Sequence, residues 1–223
     1  MKVIRWACFL MMILTTDAAL SAGFDCKKAL SDVEKMICKS ADLSSLDGQL
    51  LDAYNGALKA VEASSKDALI EEQRNWIRYT RNICQDSVCL SEAYETRIKV
   101  LQQNSQVIYD ESICNIPDGD GCRSSVIYRD ASKRIDSFNN SLSQNKMSGK
   151  IIGCSMLLDV PVGTAHGNHS FGGLCTLQSG AVRSDVKICN DDMIGHFSVK
   201  NIDRKGESEK SLAEFTNAEC FGG

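Results

Sequence analysis

The sequence predicts an α+β protein in two domains. An N-terminal all-α antiparallel helical domain is followed by a small disulfide-rich domain with one helix and a mainly antiparallel sheet. Three observations carry this. From Phe24 to about Asn104 apolar residues recur every three or four positions and proline is absent. After Ser148 glycines multiply and the apolar period shortens toward two. Cysteines run through both parts, as they do in small exported domains stapled by disulfides.

The elements follow in order. Lys2 and Arg5 precede an apolar run of about ten residues, from Trp6 to Thr15, and then small residues from Ala18 to Ala22. This reads as a cleavable export signal over residues 1–22. The run is short of the roughly 18 apolar residues a membrane span needs, and no later segment approaches that length. Arg5 stands three residues before Cys8, where a lipid-attachment motif needs an aliphatic residue.

The helical domain is expected over 23–106. Ser31 and Glu34 form an S-x-x-E capping box that predicts a short helix over 32–38. Asp42 is the expected cap of a second helix, whose stripe is Leu43, Leu46, Leu50, Tyr54, Leu58 and Val61. Ser64 or Ser65 caps a third, running through Leu69, Trp76 and Thr80 to Ile83. A fourth starts near Ser87 with Leu90, Tyr94, Ile98 and Leu101 on one side. Short connections favour antiparallel neighbours.

The second domain is expected over 107–223. A turn cluster, Asn115 to Gly121, opens it. Ile127, Ala131, Ile135, Phe138 and Leu142 then recur at helical spacing. Strands are expected over 150–160, 173–178, 181–189 and 194–200, with a last short one over 212–215. Ser179-Gly180 and Asn190-Asp191-Asp192 mark turns.

The chain has 11 cysteines. Cys8 leaves with the signal, and an even number in an exported chain reads as a disulfide framework. No C-x-x-C occurs, so a zinc ribbon or thioredoxin-type motif is not signalled. Cys84 and Cys89 bridge only if the helix breaks at 85–87, where Asp86 and Ser87 supply turn and cap chemistry. Cys26 and Cys38 meet if residues 26–30 fold back along the first helix. These considerations favour Cys26–Cys38 and Cys84–Cys89 over the crossed pairings. Cys114, Cys122, Cys154, Cys175, Cys189 and Cys220 are expected to pair among themselves, with connectivity open.

Net charge is −4. Taking Lys2 and Arg5 from 25 basic residues and Asp17 from 29 acidic ones leaves 23 against 28. This is no nucleic-acid footprint. It suits a protein that meets a basic partner.

The first half resembles the LprI-type lysozyme inhibitor family over about residues 24–104. The resemblance rests on Phe24-Asp25-Cys26, Val33-Glu34-Lys35-Met36-Ile37-Cys38, Leu43 and Leu46-Asp47. It continues through Glu72-Gln73-Arg74-Asn75-Trp76-Ile77-Arg78 and Cys84, then Cys89-Leu90, Ala93-Tyr94-Glu95, Arg97 and Ile98. It implies an exported or surface-anchored, helical, disulfide-bonded domain, with lysozyme inhibition in at least one branch. Such domains also occur fused to unrelated C-terminal parts. The implied protein is a non-enzymatic inhibitor without cofactor or metal, secreted or periplasmic, acting by steric occlusion. Its implied partner is a basic lysozyme-type glycosidase, either a host lysozyme or a wall-degrading toxin. A cell-envelope module that binds glycan or protein without inhibiting is the alternative.

Two sets of residues are candidates for contact. Arg74, Arg78 and Arg81 stand on neighbouring turns and could form a helical binding surface, although Trp76 reads as core and Glu72 and Arg78 as local pairs or solvent-facing. In the second domain His166, Gly167, Asn168, His169 and Ser170 form a glycine-flanked, donor-rich segment. It suits insertion into a cleft whose catalytic groups are carboxylates. With His196 and Asp191 or Asp192, the His-x-x-His pair is a weak metal motif. Ser170, His166 and Asp191 can be arranged as a triad on paper, but no G-x-S-x-G turn accompanies them.

Overall fold

A computed structural model of the chain describes residues 22–102, 107–110, 125–161 and 169–220. Residues 1–21 of the expected signal, the turn cluster with Cys114 and Cys122, and His166, Gly167 and Asn168 lie outside these residues. Among the described residues no helix is long and apolar enough to cross a membrane.

Four helices come first: α1 (Asp32–Lys39), α2 (Ala41–Ala60), α3 (Lys66–Tyr79) and α4 (Ser87–Gln102). The capping box at α1 is formed in both directions: the Glu34 backbone N–H donates to Ser31 Oγ, and the Ser31 N–H donates to Glu34 Oε2. The cap of α2 is Ser40, two residues before the expected Asp42. Ser40 Oγ accepts from the Leu43 N–H, which places Asp42 in the first turn near the positive end of the helix. Helix α3 stops at Tyr79, earlier than the stripe suggests, because Thr80 leaves helical geometry and a 3-10 turn covers Arg81–Ile83. Asp86 Oδ1 accepts from the Cys89 N–H and starts α4. Cys26–Cys38 and Cys84–Cys89 are bridged.

One core joins these helices. Ile37, Leu43, Leu50, Leu69, Trp76, Leu90, Tyr94 and Leu101 are all buried in it. Tyr94 meets Trp76 edge to face at 5.4 Å and donates its hydroxyl to Asp47 Oδ1 at 2.6 Å.

The rest is a six-stranded antiparallel meander in sequence order: β1 (Val107–Asp110), β2 (Ser125–Tyr128), β3 (Lys150–Pro161), β4 (His169–Ser179), β5 (Val182–Asp191) and β6 (Phe197–Asn201). Helices α5 (Ile135–Gln144) and α6 (Glu209–Cys220) cover it. Alternation along the strands produces two cores. Phe138 and Leu142 of α5 pack with Ile151, Leu157, Val186 and Ile188. Leu212, Ala213 and Phe215 of α6 pack with Leu158, Val160 and Leu174. Cys154–Cys175 joins residues directly opposite on β3 and β4, and Cys189–Cys220 ties α6 to β5.

Three expectations for the second half are corrected. Ile127 belongs to β2, opposite Leu158, and α5 starts only at Ile135. Its four-residue spacing to Ala131 is coincidental, since pairing with β3 gives Ile127 a burial site beside Leu158 and Val160. The segment 212–215 is helical, not a strand: Ser208 and Ser211 exchange side-chain-to-backbone hydrogen bonds ahead of Leu212, and Leu212, Ala213, Thr216 and Cys220 then bury one face. The β4–β5 turn is Gly180-Ala181, one residue later than expected, because Ser179 still pairs with Val182.

The helical part packs directly on the sheet. Thr80 donates to the Cys154 carbonyl at 2.7 Å, and Asn75 to Asp130 at 3.0 Å. Buried Arg129 and Glu72 form an ion pair at 3.0 Å. Gly153 allows the approach, since a Cβ there would overlap the Tyr79 carbonyl oxygen.

Candidate functional site

Strand β3 carries one charge inside an apolar run, Asp159, and the fold turns it into the centre of a polar cluster. Asp159 is buried, and one end of the cluster is His169, the first residue of β4. His169 Nδ1 lies 2.8 Å from Asp159 Oδ2, so an ionised Asp159 takes the Nδ1–H as donor and leaves Nε2 for a partner. Burial pushes the Asp159 carboxyl above its ordinary range, while His169 and the Tyr128 hydroxyl, which donates at 3.4 Å, oppose the shift. The Tyr128 phenol is pushed up to about 12, first by burial and then by the Asp159 charge. Phe171 packs beside the His169 ring, and the Arg134 guanidinium lies 3.7 Å from the Phe171 centroid. Arg134 also donates to Asp192 at 2.7 Å. His169 is thus held by a carboxylate and a ring while remaining about a third exposed (32%).

The other candidates of this segment separate. Ser170 is fully buried, and its hydroxyl donates to the Cys220 carbonyl. It fastens the end of α6 to β4 and is not a surface donor. Asp191 faces Ser170 across the β4–β5 ladder but gives its carboxylate to backbone N–H groups, so the paper triad does not assemble. His196 Nδ1 lies 3.3 Å from Asp191 Oδ2. Among the described residues no group of three or more His, Cys, Asp or Glu side chains is placed to hold a metal ion.

On the helical side, Arg74 and Arg78 are exposed. Arg74 pairs with Glu71 at 3.5 Å and Arg78 lies over the Tyr79 ring. Arg81 is half-buried and its Nε donates to Asn82. Their neighbours on α3 face the sheet. Glu72, expected to pair locally or face water, is buried against Arg129, and Gln73 accepts from Arg97. Arg97 also donates to the Arg129 carbonyl at 2.7 Å, and its Nη2 has no hydrogen-bond partner among the described residues. Burial lowers the Arg97 pKa to about 10, opposed by the Glu72 charge, so the group stays protonated at neutral pH. A cavity of about 270 Å³ opens beside these groups, lined by Trp76, Arg97, Tyr128, Arg129 and Met156 among others. The Lys99–Glu209 pair, at 3.5 Å, links α4 to α6 there.

Sequence reasoning missed Asp159, Tyr128, Arg134 and the Arg97–Arg129–Glu72 network. A lone aspartate inside an apolar strand was the available signal for the first. The others are long-range pairings with no local signature.

Residues 26–107 match the family model described as Lysozyme inhibitor LprI. The proteins named Lipoprotein LprI of Mycobacterium bovis and Mycobacterium tuberculosis are each 31% identical over 87 residues, which is 38% of this chain and 43% of the relative. The matched stretch thus spans less than half the length of these relatives. No solved structure matches the chain. The similarity to the family described as Lysozyme inhibitor LprI thus lies in residues 26–107, the stretch that holds helices α1 to α4.

Proposed function

We propose that this protein is an extracytoplasmic inhibitor of lysozyme or a related peptidoglycan hydrolase, acting by steric occlusion of the cleft. The observation that carries the reading is the family match over the helical region. Four disulfides among the described residues fit an oxidising compartment, and the net charge of −4 complements a basic target. The target is either a host lysozyme, or a wall-degrading toxin to which the protein confers immunity.

The occluding element is the segment from His166 to His169, whose last residue is the first of β4. Glycosidases of this type work with paired carboxylates in an open cleft. His169, steadied by Asp159 and Phe171, presents Nε2 as a donor without having to be ordered on binding. The exposed Arg74 and Arg78 are the second candidate contact, on the helical side.

The test is a titration of the exported protein against lysozyme while lysis of bacterial walls is followed. Inhibition at micromolar protein is expected, and none at that excess overturns the reading. His166→Ala with His169→Ala should raise the half-inhibitory concentration at least about tenfold. If only Arg74→Ala with Arg78→Ala does so, the contact lies on the helices.

A second reading, a cell-envelope binding module without inhibitory activity, is favoured by the cavity of about 270 Å³ and by Arg97 Nη2 beside it, unpartnered among the described residues. Phe138 of α5, Phe171 of β4 and Phe215 of α6 are buried, so these aromatics offer little surface for glycan. Binding of wall fragments by a protein that leaves lysis unaffected would select this reading.

A further inference from the structure

The turn between β5 and β6 is organised around one carboxylate. Asp191 Oδ1 accepts from the backbone N–H groups of Met193, Ile194 and Gly195 at 2.9, 2.6 and 2.9 Å. Asp191 Oδ2 accepts from the His196 N–H at 2.8 Å, and the Asp191 N–H donates to the His196 carbonyl. The carboxylate has no exposed surface, so water does not compete for it. Gly195, at φ +83°, supplies the left-handed step that closes the turn. The turn is also tied to β4, because the Asp192 N–H donates to the His169 carbonyl at 3.0 Å.

This scaffold holds two large apolar side chains outward. Met193 is 74% exposed and Ile194 51%. Single exposed apolar residues are ordinary, but an adjacent pair at the apex of a fixed turn adds nothing to the free protein's stability. It does lower the cost of binding, since the backbone there has already lost its freedom.

From this we infer that Met193 and Ile194 form a second, apolar contact with the target enzyme, inserted beside His169 into the same cleft. The inference rests on the inhibitor reading and adds to it a rigid apolar prong. The chemistry of the occupant follows: enzyme clefts are lined mostly by apolar and aromatic side chains around a few polar groups, which in glycosidases include the catalytic carboxylates. A histidine donor and an apolar knob held on adjoining strand ends match both at once. Arg134 holds Asp192, so the acidic residue next to the prong is neutralised toward the target's carboxylates.

The test uses the full exported chain and lysozyme. Met193→Ser with Ile194→Ser is expected to leave the melting temperature unchanged and to raise the half-inhibitory concentration at least about tenfold, through faster dissociation. Asp191→Asn should weaken inhibition less and should speed amide exchange at 193–196 in the free protein. A serine double variant that inhibits as well as the unaltered protein overturns the inference and leaves the inhibitor reading standing. Amides at 193–196 that exchange at unstructured-chain rates in the unaltered protein overturn it as well. No inhibition by the unaltered protein removes both readings together.

Discussion

The helical half gathers its apolar residues into one core, whereas the sheet half makes two, one under α5 and one under α6. The halves also use their polar residues in opposite ways. On α3 the signature residues Glu72, Gln73 and Asn75 meet Arg129, Arg97 and Asp130, three residues that themselves include two from the sheet half. At the far end of β3 and β5, Asp159 and Asp191 instead hold His169 and an exposed turn in place. Residues of α3 inside the stretch matched by the family model therefore form part of a docking face in this chain.

Breaking the junction tests the first side of that contrast. Glu72→Ala leaves Arg129 buried without its partner, next to the already desolvated Arg97. It is expected to destabilise by about 3–5 kcal/mol in denaturant unfolding. Gly153→Ala pushes a methyl into the Tyr79 carbonyl and should cost about 2 kcal/mol, measured the same way. Thr80→Val removes one buried hydrogen bond to Cys154 and should cost about 1 kcal/mol. If all three are neutral, the halves do not depend on this contact.

The sheet end is sharpened by pH, with the smallest effect. Burial alone would raise the Asp191 carboxyl, but its four backbone donors outweigh that and hold it below the ordinary 3.8. The folded state therefore binds this proton less tightly than the unfolded chain. Its contribution is full above 3.8 and is lost as pH falls through the lowered value. The stability gap between the unaltered protein and Asp191→Asn should then shrink in acid. Asp159 has the opposite sign: its raised pKa favours the folded state at low pH, and that contribution fades as pH rises through the folded value. Unfolding midpoints across the acid range of each asparagine variant separate the two.

Much of the helical half was legible because its signals are local. A capping box, a break between Cys84 and Cys89 and a stripe over α2 each need only a few neighbouring residues. The sheet half was legible in outline, and its errors have one cause. Ile127 and the segment 212–215 fit either a helix or a strand by spacing, and burial partners distant in sequence decided between them. Of the candidate site, His169 was visible as a donor, but Ser170 was indistinguishable from it until α6 covered the strand.

By itself, the sequence determined the four N-terminal helices, the strand-rich second half and the cysteine pairs close in the chain, since periodicity, caps and turn residues act over one or two turns. Only the tertiary structure decided which polar groups are buried partners and which remain available. That choice depends on contacts such as Glu72 with Arg129 and Ser170 with Cys220, where residues 57 and 50 positions apart meet and lose their water together.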